Sequence, residues 1–460
     1  MSSSGPTVAE ALRAARETKT LEIGSGVIEN APAIFKEQFG AETAVIITDT
    51  NILGAAGERV AAAFERQKHP CLAPFIFPDP DLYAEYSYVE RLQKFLSENN
   101  AIPVAVGSGT INDLTKLAAH LNGRSYLCVA SAASMDGYTA FGASITRDGA
   151  KQTFTCPAPQ AVVADLDVIS AAPPEMNASG YADLLAKITA GADWILADAL
   201  GIEPIDRQAW SIVQDGLRES ASDPGGIPGR DGKAISRLVQ GLMLGGFAMQ
   251  AARSSRAASG AEHQFSHLWD MQHNMHGRGA PSHGFKVGIG TLAVTALYEF
   301  ILRQPLEHLD INGCCDAWPE RETILTEVRH TFPQPELRAV AERETGAKHC
   351  SREELRVQLE GLRKLWPELK GKLQRQLMPF EQVHGHLKAA GAPHEPEQIG
   401  IPRSELRQSY RRAFFLRRRF TILDVAVRCG LLEPALEEIF GAHGRWPAKT
   451  GDAPQPAHTS

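Results

Sequence analysis

Between residues 44 and 130 four short apolar runs are separated by helical stretches, and none of them alternates polar with apolar positions. They are Ala44-Val45-Ile46-Ile47-Thr48, Pro74-Phe75-Ile76-Phe77, Ile102-Pro103-Val104-Ala105-Val106 and Tyr126-Leu127-Cys128-Val129-Ala130. A strand that is apolar on both faces must be covered on both faces. The pattern therefore predicts a mostly parallel sheet flanked by helices. Helices are predicted near residues 82–99 and 110–120, and a hairpin over 143–146 and 152–154 with its turn at Asp148-Gly149.

After Ile169 and the Pro173-Pro174 pair, helical periodicity runs to about Phe440. Loops are expected at 220–231 and 277–283. The expected organisation is a Rossmann-like α/β nucleotide-binding domain over 1–170, an all-helical domain for metal and substrate over 171–440, and a flexible tail over 441–460.

Charge and cysteine usage narrow the function classes. A net charge of −7 and a pI near 6.1 argue against nucleic acid or an anionic membrane as the main partner. The basic stretch from Arg411 to Arg419 is read as the solvated face of a helix. Seven scattered cysteines without a C-x-x-C pair suggest neither a zinc ribbon nor a disulfide framework. Residues 1–20 lack an apolar signal core, and no run of eighteen apolar residues occurs. No membrane span is expected, and the cytoplasm is the simplest location.

Two segments carry chemistry. The stretch Val104 to Ile111, with Gly107-Ser108-Gly109-Thr110 at its centre, passes from a predicted strand into a predicted helix. Two glycines let a ligand approach the backbone, and the helix N-terminus offers free N–H groups to a pyrophosphate. Asn112 stands where the G-x-G-x-x-G pattern has its third glycine, so a plain strand–helix turn also fits. Asp49 ends the first apolar run, where a carboxylate can accept from a ribose diol and repel a 2′-phosphate. That favours NAD and leaves NADP open, while an N-cap role with Asn51 fits equally.

The second segment is Glu262-His263-Gln264-Phe265-Ser266-His267, followed by His273, His276 and His283, in a chain with 15 histidines. His263 and His267 share one helix face. Imidazoles joined by one carboxylate suit a catalytic divalent metal. Asp183, a lone acid in an apolar helical start, is the candidate carboxylate. Pairing with Lys187 one turn on would also account for it, and core or solvated histidines would account for the cluster.

Taken in order, Gly107-Ser108-Gly109-Thr110-Ile111-Asn112-Asp113, Ser134-Met135-Asp136-Gly137-Tyr138, Asp183-Leu184-Leu185 with Asp193-Trp194, the Glu262–His267 segment and His283-Gly284-Phe285-Lys286-Val287-Gly288 resemble the sn-glycerol-1-phosphate dehydrogenases. The bacterial AraM-like branch is the nearest likeness. The family lies in the iron-containing alcohol dehydrogenase and dehydroquinate synthase-like superfamily. The resemblance spans about residues 20–440 and implies a dehydroquinate synthase-like fold with its active site between the two halves. It implies that Asp183, His263 and His283 hold Zn²⁺ or Ni²⁺, and that Asp136, Asp183 and His267 touch substrate. It implies that Asp49, Gly107, Ser108, Gly109, Thr110, Ile111, Ser131 and Ser134 line the cofactor site. Ala140 takes the place of a contacting serine there. Phe285 replaces the family's glutamate and Ser131 its more usual threonine.

The activity so implied is NAD(P)-linked interconversion of dihydroxyacetone phosphate, a small phosphorylated ketone, and sn-glycerol 1-phosphate, by a homodimer. Two other activities share the superfamily: a dehydrogenase of unphosphorylated polyols, and a cyclase of the dehydroquinate synthase type. A catalytically inert relative is the third alternative.

Overall fold

The computed structural model describes residues 6–147, 149–273 and 280–447. Its strands are β1 (Thr20–Gly24), β2 (Ala44–Asp49), β3 (Cys71–Phe77), β4 (Ile102–Gly107), β5 (Leu127–Ala130), β6 (Ala143–Arg147), β7 (Ala150–Phe154) and β8 (Ala161–Asp165). Six of them make one sheet in the order β1-β8-β5-β4-β2-β3, with every pairing parallel. The hairpin β6-β7 is antiparallel; Asp148 of its expected turn lies outside the described residues. Helices Tyr86–Glu98 and Gly109–Leu121 fall where the periodicity puts them.

Two strands escape the sequence reading. In β8, Ala161-Val162-Val163-Ala164 is fully buried between β1 and β5, but its small residues directly precede the helical texture. β1 is an edge strand whose residues are all half-buried, so its signal is weak.

From β2 the chain winds to β3 on one side and then, through β4 and β5, to the other. Neighbouring strand ends part company between β2 and β4, the place where open α/β sheets bind ligands beyond their carboxyl ends. Asp49 and Gly107 terminate those two strands.

After β8 the regular elements among the described residues are helical. Pro174–Ala199, Ala261–His273 and His283–Arg303 pack on one another. His283–Arg303 is long and apolar enough to cross a membrane, but 83% of its apolar window is buried inside the protein. Close helix approach depends on glycine: a Cβ on Gly180 would lie 1.8 Å from Ala133 O, and one on Gly284 would lie 1.9 Å from Ser179 O. A single apolar cluster joins one face of the sheet, with Val45, Ile47 and Ala105, to the helical half. The other sheet face is closed by its own cluster around Phe35 and Phe64.

Two expectations are corrected. The basic stretch is not one solvated face. Helix Arg403–Leu416 ends before it does, Phe414 and Phe415 are buried, and Arg417, Arg418 and Arg419 continue as non-helical chain. The start of the expected flexible tail is docked: Trp446 is buried against Phe380 and Phe440, and Arg445 pairs with Glu299 and Glu381. Residues 448–460 lie outside the described set.

Candidate active site

A cavity of about 880 Å³ opens between the strand ends and the helical half. Ser108, Gly109 and Thr110 line it from the β4 turn, Ser134, Asp136 and Ala140 from the loop after β5, and His263, His267 and His283 from the helices.

The turn after β4 is shaped for a ligand. Ser108 caps helix Gly109–Leu121 in extended geometry without a side-chain bond to the first turn, so N–H groups there stay available. A Cβ on Gly107 would lie 2.6 Å from Ile111, and one on Gly109 would lie 2.5 Å from Met135 Cε. Only glycine keeps the turn this close to its neighbours. Ile111 is buried beneath Gly107. The missing third glycine has a structural reason: Asn112 Nδ2 donates to Gly137 O at 3.2 Å, and its Oδ1 accepts from Tyr126 at 2.8 Å. Lys116 Nζ donates to the carbonyls of Gly137, Ala140 and Gly142 at 3.0, 3.0 and 2.9 Å. This buried lysine, which the sequence reading missed, fixes the loop bearing Ala140.

The other expected cofactor residues take varied places. Ser131 N donates to Gly107 O at 3.1 Å, and its buried hydroxyl has no partner among the described residues. Ser134 Oγ lies 3.3 Å from Tyr138 Oη. Asp49 is buried at the end of β2, and its Oδ1 accepts from Asn51 N at 2.7 Å and Ile52 N at 3.1 Å. The N-cap-like role is therefore real, and it fixes the carboxylate at the switch point. Asp49 does not line the cavity wall itself.

The metal-ligand candidates converge. Asp183, His263 and His283 each offer one ligand atom, and these atoms all lie within 4.8 Å of one another. They come from the three packed helices in turn, with His283 the first residue of its helix, behind Ser282. His263 Nε2 lies 3.7 Å from Asp183 Oδ1, while its Nδ1 lies 2.8 Å from Glu262 Oε1. Glu262 thus orients the ring, a carboxylate–histidine arrangement common at metal sites. One carboxylate and two imidazoles are a donor set suited to zinc or a similar borderline ion. His276 lies outside the described residues, and only the backbone of His273 is described.

Asp183 makes the ion pair with Lys187 that one of its two sequence readings expected. Lys187 Nζ is 2.7 Å from Asp183 Oδ1 and 2.7 Å from Asp136 Oδ2. Asp136 N also donates to Asp183 Oδ2 at 3.1 Å. Burial alone would raise the Asp183 carboxyl, but Lys187, His283 and His263 outweigh it and hold the group at about 2. Asp136 is pushed up by burial and by Asp183. Burial drives His267 well below the ordinary imidazole value, with Arg417 and Lys151 adding to the effect. The His267 ring stands 6.5 Å from those of His263 and His283, and its buried Nδ1 has no partner among the described residues. Phe285 does not face the cavity; its N–H donates to Ser282 Oγ at 3.3 Å.

Asp193 has a structural task. It accepts from Tyr298 Oη at 2.6 Å, Ala261 N at 2.7 Å and Ile422 N at 2.8 Å, tying three helices to Pro174–Ala199.

Residues 22–173 match the family model described as iron-containing alcohol dehydrogenase. A glycerol-1-phosphate dehydrogenase (NAD(P)+) of Halalkalibacterium halodurans is 32% identical over 300 residues, 65% of this chain and 75% of that one. The enzyme of that name from Geobacillus thermodenitrificans is 27% identical over 394 residues, 85% of this chain and 87% of its own. Among solved structures, a probable glycerol dehydrogenase from Sinorhizobium meliloti superposes with a TM-score of 0.59 at 16% identity, covering 92% of this chain and 98% of that one. The fold is thus the one shared by iron-containing alcohol dehydrogenase-like proteins. By its resemblance to the Halalkalibacterium protein over three quarters of that relative's length, the chain belongs to the glycerol-1-phosphate dehydrogenase family.

Proposed function

We propose that the chain interconverts dihydroxyacetone phosphate and sn-glycerol 1-phosphate with a nicotinamide dinucleotide. The observation that carries this reading is the convergence of Asp183, His263 and His283 beside the cavity into which the glycine turn also opens. The three side chains would hold a divalent cation, zinc or nickel in our reading, which when bound supplies Lewis-acid polarisation of a carbonyl oxygen. Ser108, Gly109 and Thr110 would hold the dinucleotide, which when bound would supply or take up the hydride.

The chain's own groups do the rest. The turn's N–H groups bind and orient the pyrophosphate. Asp49 favours NAD by facing the ribose and repelling a 2′-phosphate. Glu262 holds His263 in the tautomer that frees Nε2. Lys187 sits between Asp136 and Asp183 and offsets their negative charge away from solvent. His267 stands one helical turn from His263 with a ring nitrogen that has no partner among the described residues, placed to pass a proton to or from the reacting oxygen. In this reading the dinucleotide sits on residues 1–170 and metal and substrate on 171–440, in a cytoplasmic homodimer.

The test is NADH and NADPH oxidation with dihydroxyacetone phosphate, on chelator-stripped protein refilled with Zn²⁺ or Ni²⁺, followed by stereochemical analysis of the product. Metal-dependent formation of sn-glycerol 1-phosphate is expected. Equal turnover of dihydroxyacetone would make the enzyme a polyol dehydrogenase, and phosphate release without net NADH change would make it a cyclase.

A further inference from the structure

We infer that Arg417, with Lys151, forms the subsite that takes the phosphoryl group of the substrate. The inference rests on the reading of the substrate as a triose phosphate.

Three consecutive arginines leave helix Arg403–Leu416 along the cavity wall and meet different fates. Arg418 is committed to Glu344 at 2.9 and 3.0 Å. Arg419 donates to Ser259 O at 2.7 Å, Ser259 Oγ at 2.9 Å and Ser255 Oγ at 2.9 Å. Arg417 lines the same wall but has no hydrogen-bond or ion-pair partner among the described residues. Glu344, the acid whose charge acts on it, is already shared by Arg418 and Arg343. Arg417 is half-buried on that wall, and a charged ligand can supply the anion that its guanidinium lacks.

Lys151 adds to the surplus. It reaches the cavity from β7, and its Nζ is 3.2 Å from Asp270 Oδ2, while Asp270 Oδ1 is taken by Lys286. One carboxylate thus faces two ammonium groups. Arg417 and Lys151 line the same cavity as His267, and both charges help to hold its imidazole below the ordinary value. Lys187 is unavailable to a ligand phosphate: it is fully buried between two aspartates and absent from the wall. The turn at Ser108–Thr110 already offers backbone donors for a pyrophosphate. What remains is a guanidinium with its fork of donors free, suited to a phosphomonoester dianion. In a triose phosphate that group is three bonds from the reacting carbon.

The experiment compares the metal-loaded enzyme with Arg417→Gln and Arg417→Lys. Steady-state kinetics with dihydroxyacetone phosphate and dihydroxyacetone are measured, with inhibition by inorganic phosphate, NADH affinity by fluorescence titration and metal content. In Arg417→Gln the kcat/KM preference for the phosphorylated over the free ketone is expected to fall about 10- to 100-fold, mostly through KM. Inhibition by phosphate weakens in parallel, metal content and NADH affinity hold, and Arg417→Lys restores part of the loss. An unchanged preference with unchanged phosphate inhibition overturns the subsite while leaving the function standing. Loss of NADH affinity in step with the preference also overturns it, by assigning the arginine to the dinucleotide. If the unmodified enzyme shows no preference for the phosphorylated ketone, both the function and the subsite fall.

Discussion

His263 approaches Asp183 through Nε2 because Glu262 occupies its other nitrogen. Glu262→Gln weakens that hold, and metal retention is expected to fall about 10- to 100-fold in a chelator competition. An affinity equal to that of the unmodified protein would show that the ring is oriented by packing alone. His263→Ala should remove metal and turnover together while circular dichroism stays native. Asp49→Ala should shift the kinetic preference from NAD toward NADP, and an unchanged ratio would end its ribose role. At this scale the sequence makes the three metal-ligand candidates legible, because their residue types and spacing are chemically distinctive. It hides Lys116, whose partners are backbone carbonyls of a loop more than twenty residues away. It hides Arg417 as well, since a basic run looks the same whether its partners are solvent, Glu344 or nothing.

Elements meet here through glycine. Gly180 faces Ala133 O and Gly284 faces Ser179 O at distances that leave no room for a methyl group. Gly284→Ala would push helix His283–Arg303 away from Pro174–Ala199 and carry His283 with it. We expect destabilisation of about 1–3 kcal/mol in urea unfolding, together with weakened metal binding. A variant with native stability and native metal content would show that the helices part without disturbing the ligands. Strands apolar on both faces, such as β2 and β4, announce themselves. β8 does not, because Ala161-Val162-Val163-Ala164 is short and merges into helix Leu166–Ala171. β1 does not, because an edge strand needs only a weak pattern.

The molecule as a whole depends on buried carboxylates staying ionised. Asp270 is held at about 2, against an ordinary 3.8, because Lys151 and Lys286 outweigh its burial. Glu344 is also held at about 2, against 4.5, because Arg418 and Arg343 outweigh its burial. In both cases the unfolded chain binds the proton more readily than the folded one. Their stabilisation is therefore complete above the unfolded values and is lost as pH falls through about 4 toward 2. Urea midpoints should drop across that interval, and Asp270→Asn should flatten the drop while lowering stability at neutral pH. An unaltered acid slope in that variant would remove Asp270 from the acid response. Because one apolar cluster runs from the sheet into the helical half, this loss is expected as a single cooperative transition by calorimetry and fluorescence alike.

Helix Pro174–Ala199 bears Asp183, Lys187 and Asp193 on a single rod. Sliding that rod by one turn, about 5.4 Å, would misplace Asp183, its counter-charge Lys187 and the anchor of three neighbouring helices all at once. The chemistry is thereby indexed to the axial setting of one cylinder. That cylinder moves only at the expense of everything it carries.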